Sequence, residues 1–401
     1  MAYITRIHVE KCRNVRQLDI DLSVSLPAGD ADGPASARRQ KFRHLILTGP
    51  NGSGKSGVLE AIRDEVSTGL VPPHHQQLTL PLVADGRNAL VWSCENDELD
   101  RMFQRGDIIA VYLSATRRLR RHDVPGPKKL RWDPADLRPE QQVASKLLQF
   151  LVNKRTEMAY AAEDGDQHTA SRINLWFENL EHRLRQLMED KGLTLEFDRR
   201  SYNFHFRKSD GYVFDFNTLA DGHASVLALL AELLIRVDAA QQSRDDFTFE
   251  PEGVVIVDEI ETHLHLSLQE QILPFLTDFF PRFQFLVATH SPAVVASVPN
   301  AVVYDLKKRE QTLSDDFRGV RYGTLMTEHF GISSEIDLDS TQKLLRLREL
   351  ARRSPRTLEE ERVLAELAAL LSARSPTLAV EVWMAKEQLG TPGAAAAEQV
   401  R

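Results

Sequence analysis

The spacing of apolar positions changes along the chain, and each change marks an element. Residues 3–9 and 17–23 alternate apolar and polar, the period of half-buried strands. A polar stretch rich in Gly, Ala and Asp, 28–41, predicts a loop. Residues 44–48 hold the run Leu45-Ile46-Leu47 and lead into glycine, and 54–66 is helix-forming, so the order is strand, glycine-rich loop, helix. Residues 69–106 predict loop and short strands, and 107–115 a buried strand. From 134 to about 191 the apolar residues recur at helical spacing, among them Leu147, Phe150, Leu151, Phe177, Leu180, Leu184 and Leu187. Residues 202–206 and 212–216 predict a hairpin turning at Asp210-Gly211. A helix over 224–239 follows, then two apolar strands, 253–259 and 283–290. Residues 341–389 predict an exposed helical hairpin broken at Ser354-Pro355, and 390–401 a disordered low-complexity tail. No internal repeat is visible, and no long heptad stretch lies between the glycine-rich loop and the apolar strand 253–259.

Chemistry concentrates where strands end. Gly49-Pro50-Asn51-Gly52-Ser53-Gly54-Lys55-Ser56 fits the Walker A pattern G-x-x-x-x-G-K-[ST] between a strand and a helix. The glycines let main-chain N–H groups turn inward toward phosphate oxygens, and the helix N-terminus adds a favourable dipole. Lys55 is expected to reach the β and γ phosphates of ATP, and Ser56 to place its hydroxyl on Mg²⁺. Val254-Val255-Ile256-Val257-Asp258-Glu259 reads as a Walker B strand, with Asp258 holding Mg²⁺ and Glu259 activating water. His290 closes the next apolar strand, where an imidazole can contact a γ-phosphate.

In this order the motifs resemble ABC-type ATPases of the RecF, SMC and OLD kind over most of residues 1–305. The resemblance implies an α/β P-loop NTPase fold, an ABC-type ATPase head with a mixed sheet and an inserted helical lobe. It also implies a role for Arg13 near the nucleotide and for His290 as switch histidine. Leu219-Ala220-Asp221-Gly222-His223 aligns with the ABC signature; Gly222 is kept, while Ala220 and His223 replace the usual serine and Gln or Glu. Since a signature completes the site of a second subunit, a homodimer sandwiching two nucleotides is implied, with Ala220 and Gly222 as trans contacts. The form Asp258-Glu259-Ile260-Glu261-Thr262-His263-Leu264-His265 is similar to OLD-like and AAA_21 ATPases. His263 and His265 are read as interface rather than metal residues, because i and i+2 positions on a helix do not converge. Stand-alone ATPases of this type resemble Septu-like and retron-associated subunits of anti-phage systems, which implies a separately encoded effector. A RecF-like repair ATPase and a nucleotide-binding scaffold with little hydrolysis are the rival readings. Asp337-Leu338-Asp339 imitates a nuclease DxD but lacks a preceding strand, so no nuclease site is expected.

The domains expected are 1–133 and 223–330 for the two parts of the head, 134–222 for the lobe, 331–389 for the hairpin and 390–401 for the tail. The 401 residues carry a net charge of −8, which excludes a globally basic nucleic-acid binder. DNA enters as a candidate partner through a local basic run, Arg117, Arg118, Arg120, Arg121, Lys128, Lys129 and Arg131. Two cysteines, Cys12 and Cys94, without a CxxC pair fit a reducing, cytoplasmic setting. The most apolar stretch, 226–235, is too short and carries Glu232, so no membrane span is expected.

Overall fold

Alternation in the first segment produces a hairpin, β1 (Ile4–Cys12) with β2 (Val15–Asp21), whose apolar side chains point to one face. In the computed structural model the described residues are 2–23, 42–69, 88–117, 123–130, 132, 137–244, 246–328, 330 and 336–387. They fall into two compact units, 1–325 and 326–401.

In the first unit, β3 (His44–Thr48) leads through the glycine loop to α1 (Lys55–Gly69). The strand β4 (Ala89–Trp92) pairs antiparallel with β1, giving a small sheet of order β2-β1-β4. Next comes α2 (Asn96–Arg105), a helix where loop and short strands were expected. Asp97 and Glu98 in its first turn, the buried pair Leu99 and Phe103, and Gly106 at φ 70° as C-cap account for it. After β5 (Ile108–Leu113), the lobe follows as an insert: α3 (Leu147–Glu163), α4 (Gln167–Leu187), β6 (Thr194–Asp198), β7 (Asn203–Arg207) and β8 (Val213–Asp215). The expected hairpin is β7–β8, with Phe206 opposite Phe214 and Gly211 at φ 86°, and β6 extends it to three strands.

The chain returns through α5 (Asp221–Arg244), which starts three residues earlier than expected and lies against β5. Leu147, Leu151, Leu180, Leu184, Leu227 and Leu230 from α3, α4 and α5 share one apolar interior. A buried ion pair, Glu232–Arg236, ties α5 to the segment before α3. Glu232 accepts from the N–H groups of Val143 at 2.6 Å and Ala144 at 2.7 Å, while Arg236 donates to the Gln141 carbonyl at 2.6 Å. Such a pair is tolerated in a core because main-chain groups satisfy Glu232 and the two terminal nitrogens of Arg236.

The last part of the unit contributes β9 (Glu252–Val257), α6 (Leu266–Phe279), β10 (Phe283–Ala288), the short α7 (Pro292–Val295), β11 (Ala301–Asp305), β12 (Glu310–Leu313) and the first residues of α8 (Tyr322–Glu328). A mixed sheet results, in the order β12-β11-β3-β10-β9-β5, with the last five strands parallel and β12 antiparallel. Every residue of β3, β9, β10 and β11 is buried, which explains why these strands read as continuous apolar runs rather than alternations. One face of the sheet, through Leu45, Leu47, Val254, Ile256 and Leu286, packs with Val58, Leu59 and Ile62 of α1 and with Ile7 and Ile20 of the small sheet. The carboxyl ends of the parallel strands share one edge, the place where open α/β sheets bind ligands. No described helix is long and apolar enough to cross a membrane.

The second unit contains α9 (Leu338–Arg352), α10 (Leu358–Arg374) and α11 (Pro376–Glu387) around Leu344, Leu347, Leu371, Leu378 and Val382. Three helices stand where a two-helix hairpin was expected. Ser375 accepts from the Leu378 N–H at 3.2 Å, and Pro376 opens the third helix at a position proline favours. Residues 390–401, expected as a tail, and 28–41, expected as a loop, lie outside the described residues.

Candidate active site

The phosphate loop is shaped by three left-handed or extended-positive glycines: Gly49 at φ 135°, Gly52 at 78° and Gly54 at 102°. A Cβ on Gly54 would lie 2.4 Å from Val15 Cγ2 and 2.9 Å from Asn14 Oδ1, so the β1–β2 turn presses directly on the loop. Asn14 also donates to the Gly52 carbonyl at 2.6 Å. Sequence reasoning passed over Asn14, since its partner lies 38 positions away. Lys55 is buried at the start of α1 and donates to the carbonyls of Gly49 at 2.9 Å and Pro50 at 3.2 Å. Burial lowers its pKa, while Glu261, Asp258 and Glu259 oppose that shift. Its charge is therefore felt by the acids after β9. Arg13, at φ 52°, is exposed and pairs with Glu60 of α1 at 2.5 Å.

Opposite the loop, Asp258 and Glu259 follow β9. Asp258 is buried, and its Oδ1 has no hydrogen-bond partner. Glu259 is half-buried with φ 47°, a strained region for a non-glycine residue that costs on the order of 1–3 kcal/mol. Its carboxylate accepts from the Thr262 hydroxyl at 3.2 Å. Arg117, just beyond β5, reaches the same turn. It donates to the carbonyls of Asp258 and Glu259, both at 2.9 Å, and of Ile260 at 3.3 Å. Arg117 is 4% exposed. The expectation that it belongs to a DNA-contacting basic loop is therefore corrected, because composition alone cannot separate a buried cation from a solvated one. Arg118, Arg120, Arg121 and Arg131 lie outside the described residues, and Lys128 and Lys129 are exposed.

His290 follows β10. Burial lowers its pKa, with Lys55 adding to the effect, so the imidazole is neutral at neutral pH. Glu261 holds the segment before it, accepting from the His290 N–H at 2.5 Å and from the Thr289 hydroxyl at 2.7 Å. Glu261 lies within the Asp258–His265 motif, and its spacing from Asp258 and Glu259 is the sequence signal for this role. His263 and His265 are exposed and lie in the turn before α6 rather than on a helix, which corrects the premise used to set metal aside. Among the described residues no cluster of His, Cys, Asp and Glu is arranged to hold a metal ion by itself.

Gly222 is buried in the first turn of α5, where a Cβ would lie 2.8 Å from the His263 carbonyl oxygen. Ala220 is exposed and accepts from the Ala224 N–H at 2.9 Å. The structure thus brings the phosphate loop, the two acids and His290 to one edge, and sets Gly222 against the turn beyond the acids. Asp337, from the DxD sequence, caps α9, and Asp339 pairs with Lys343 at 2.6 Å and Arg374 at 2.8 Å.

These residues fit a Mg²⁺-nucleotide. A buried carboxylate oxygen lacking a partner at Asp258 and the hydroxyl of Ser56 are donors of the hard-oxygen type that Mg²⁺ prefers. Cβ atoms at Gly49 and Gly54 would lie 2.8 Å from Ser53 Oγ and 2.4 Å from Val15 Cγ2, so the main-chain path of the loop requires glycine at both positions.

Residues 108–296 match the family profile AAA_21, described as "AAA domain, putative AbiEii toxin, Type IV TA system". The chain resembles the AAA_21 family. The "Septu protein PtuA" of Bacillus mycoides (strain KBAB4) is 22% identical over 353 residues, 82% of this chain and 44% of that protein. The "Retron Ec83 probable ATPase" of Escherichia coli is 30% identical over 128 residues, 32% of this chain and 23% of that protein. The chain thus spans less than half the length of these curated relatives. Among solved structures, the SMC head domain from Thermotoga maritima aligns over 75% of this chain and 94% of its own, at 14% identity and a TM-score of 0.35. The AAA_21 resemblance read from Asp258 to His265 is borne out by the profile, and the Septu and retron resemblance by the relatives.

Proposed function

We propose that the chain is a Mg²⁺-dependent ATPase of an anti-phage defence system, working as a nucleotide-sandwiched homodimer that gates a separately encoded effector. The observation that carries the ATPase reading is the meeting, at the carboxyl edge of β3, β9 and β10, of residues 49–56, Asp258 with Glu259, and His290. In this reading main-chain N–H groups of 49–56 and the Lys55 ammonium hold the β and γ phosphates. Mg²⁺, held through Ser56 and Asp258, neutralises phosphate charge when bound. Glu259 takes a proton from the attacking water as the bond from water oxygen to γ-phosphorus forms and the β–γ bridge breaks toward ADP. His290 donates to a γ-phosphate oxygen, and Arg13 exchanges Glu60 for the nucleotide.

Similarity to Septu and retron proteins supports the defence role and the effector. Gly222, at the start of a long helix, supports the trans contact across a dimer, with Ala220 beside it lacking the hydroxyl of the usual serine. DNA contact rests on the exposed Lys128 and Lys129. Turnover of ATP by the full chain, alone and with its genomic-neighbour protein, tests the proposal. Glu259→Gln is expected to reduce kcat by roughly 100-fold or more while retaining nucleotide. Equal inactivity of wild type and variant under all these conditions would leave a nucleotide scaffold as the function.

A further inference from the structure

We infer that Arg117 is the positioning residue of the catalytic turn, a guanidinium clamp on three successive carbonyls that fixes Glu259 in its left-handed conformation. The inference rests on the proposed role of Glu259 as general base. A left-handed residue following β9 turns the carbonyls of Asp258, Glu259 and Ile260 toward one point, and all three accept from Arg117. Converging carbonyl dipoles repel one another, so the geometry needs a cation at their focus. Two further bonds fix that cation: Nη1 donates to the Ser114 carbonyl at 3.4 Å and Nε to the Ser225 hydroxyl at 3.5 Å. The first anchors the clamp to the end of β5. The second joins it to α5, one turn beyond Gly222.

The choice of arginine follows from this geometry. A planar fork of N–H groups spans several acceptors at set angles, whereas a lysine ammonium is a compact point charge. Burial lowers the Arg117 pKa to about 10, with Glu261, Asp258 and Glu259 opposing the shift, so the clamp stays charged at neutral pH. The turn is held from its far side as well, where the Ile260 N–H donates to the Ala288 carbonyl at 3.2 Å and Glu261 binds the His290 segment. Arg117 binds the turn through main-chain carbonyls and acts on the reaction through Glu259.

Steady-state ATP hydrolysis and fluorescent-nucleotide binding by the full chain test this with Arg117→Lys, Arg117→Ala, Glu259→Gln and the double variant Arg117→Lys/Glu259→Gln. Arg117→Lys keeps a cation in the core and is the informative variant if Arg117→Ala does not fold. Its kcat is expected to fall roughly 30-fold or more, with nucleotide affinity within about threefold of wild type, the pattern of a lost transition-state geometry. On the Glu259→Gln background the same change should cost nothing further, since residues acting as one unit are non-additive. An unchanged kcat in Arg117→Lys, or a full additional loss in the double variant, overturns the inference while leaving the ATPase reading intact. Equal activity of wild type and Glu259→Gln instead overturns the role of Glu259, and the inference with it.

Discussion

Positive φ angles occur on both sides of the candidate phosphate site, yet different residues adopt them. In the phosphate loop they belong to Gly49, Gly52 and Gly54; in the acid turn they belong to Glu259 at 47° and His263 at 67°. Glycine takes such angles at no steric cost, so eight contiguous residues carry the shape of the loop. A glutamate in the same region needs support, and it comes from Arg117, 142 positions away, and through Glu261 from Thr289 and His290. The lesson is that the loop is encoded mainly by its own glycines, with support from the β1–β2 turn, and the acid turn mainly by distant residues. Damage to the first should abolish binding, and damage around the second should slow turnover while binding persists.

The sharpest way to break this contrast is Gly54→Ala. With φ 102° and a Cβ 2.4 Å from Val15 Cγ2, the loop must deform. Nucleotide affinity is expected to fall more than roughly 100-fold in a binding titration, since the main-chain donors lose their aim. Glu261→Gln tests the other half. The amide keeps one acceptor for two donors, and kcat is expected to drop roughly 10-fold with affinity unchanged, measured as turnover at saturating ATP.

The strand feeding the phosphate loop supplies a pH test. Burial pushes the His44 pKa down from 6.5 to about 3, and its Nδ1 accepts from the Phe285 N–H at 3.0 Å. The unfolded chain therefore binds this proton more readily than the folded one. Its contribution to stability is fully present above pH 6.5 and is lost as pH falls toward 3, by about 1.4 kcal/mol per unit. Urea titrations from pH 7 to 4 should show a shallower acid slope for His44→Asn. The smallest effect concerns His263, exposed and left-handed without a clamp on its carbonyl among the described residues. His263→Gly should raise stability by up to about 1 kcal/mol in the same titrations, while Glu259→Gly, a position held by Arg117, gains less than the strain figure suggests.

That asymmetry also explains what could be read from the chain. The phosphate loop was legible because its pattern is contiguous and its flanking strand and helix announce themselves. Asp258, Glu259 and His290 were legible as the polar ends of apolar strands, and their meeting follows from the parallel order β3-β10-β9. Arg117 was misread because its neighbours in sequence are basic while its neighbours in space are carbonyls. Asn14 and Glu261 went unassigned for the same reason: their hydrogen bonds reach segments 38 and 28 or more positions away. The helix α2 was missed although Leu99 and Phe103 sit four apart, because Pro and Gly upstream dominated the reading of 69–106.

Calorimetric titration of Mg²⁺-ATP into the full chain and into Lys55→Ala tests the central claim most directly, namely that residues 49–56 hold a triphosphate facing Asp258 and Glu259. The account predicts saturable heat for wild type and an affinity at least roughly 30-fold weaker for Lys55→Ala, because a buried charge-assisted phosphate contact is lost. Indistinguishable isotherms for the two proteins, or no heat from either, would contradict it.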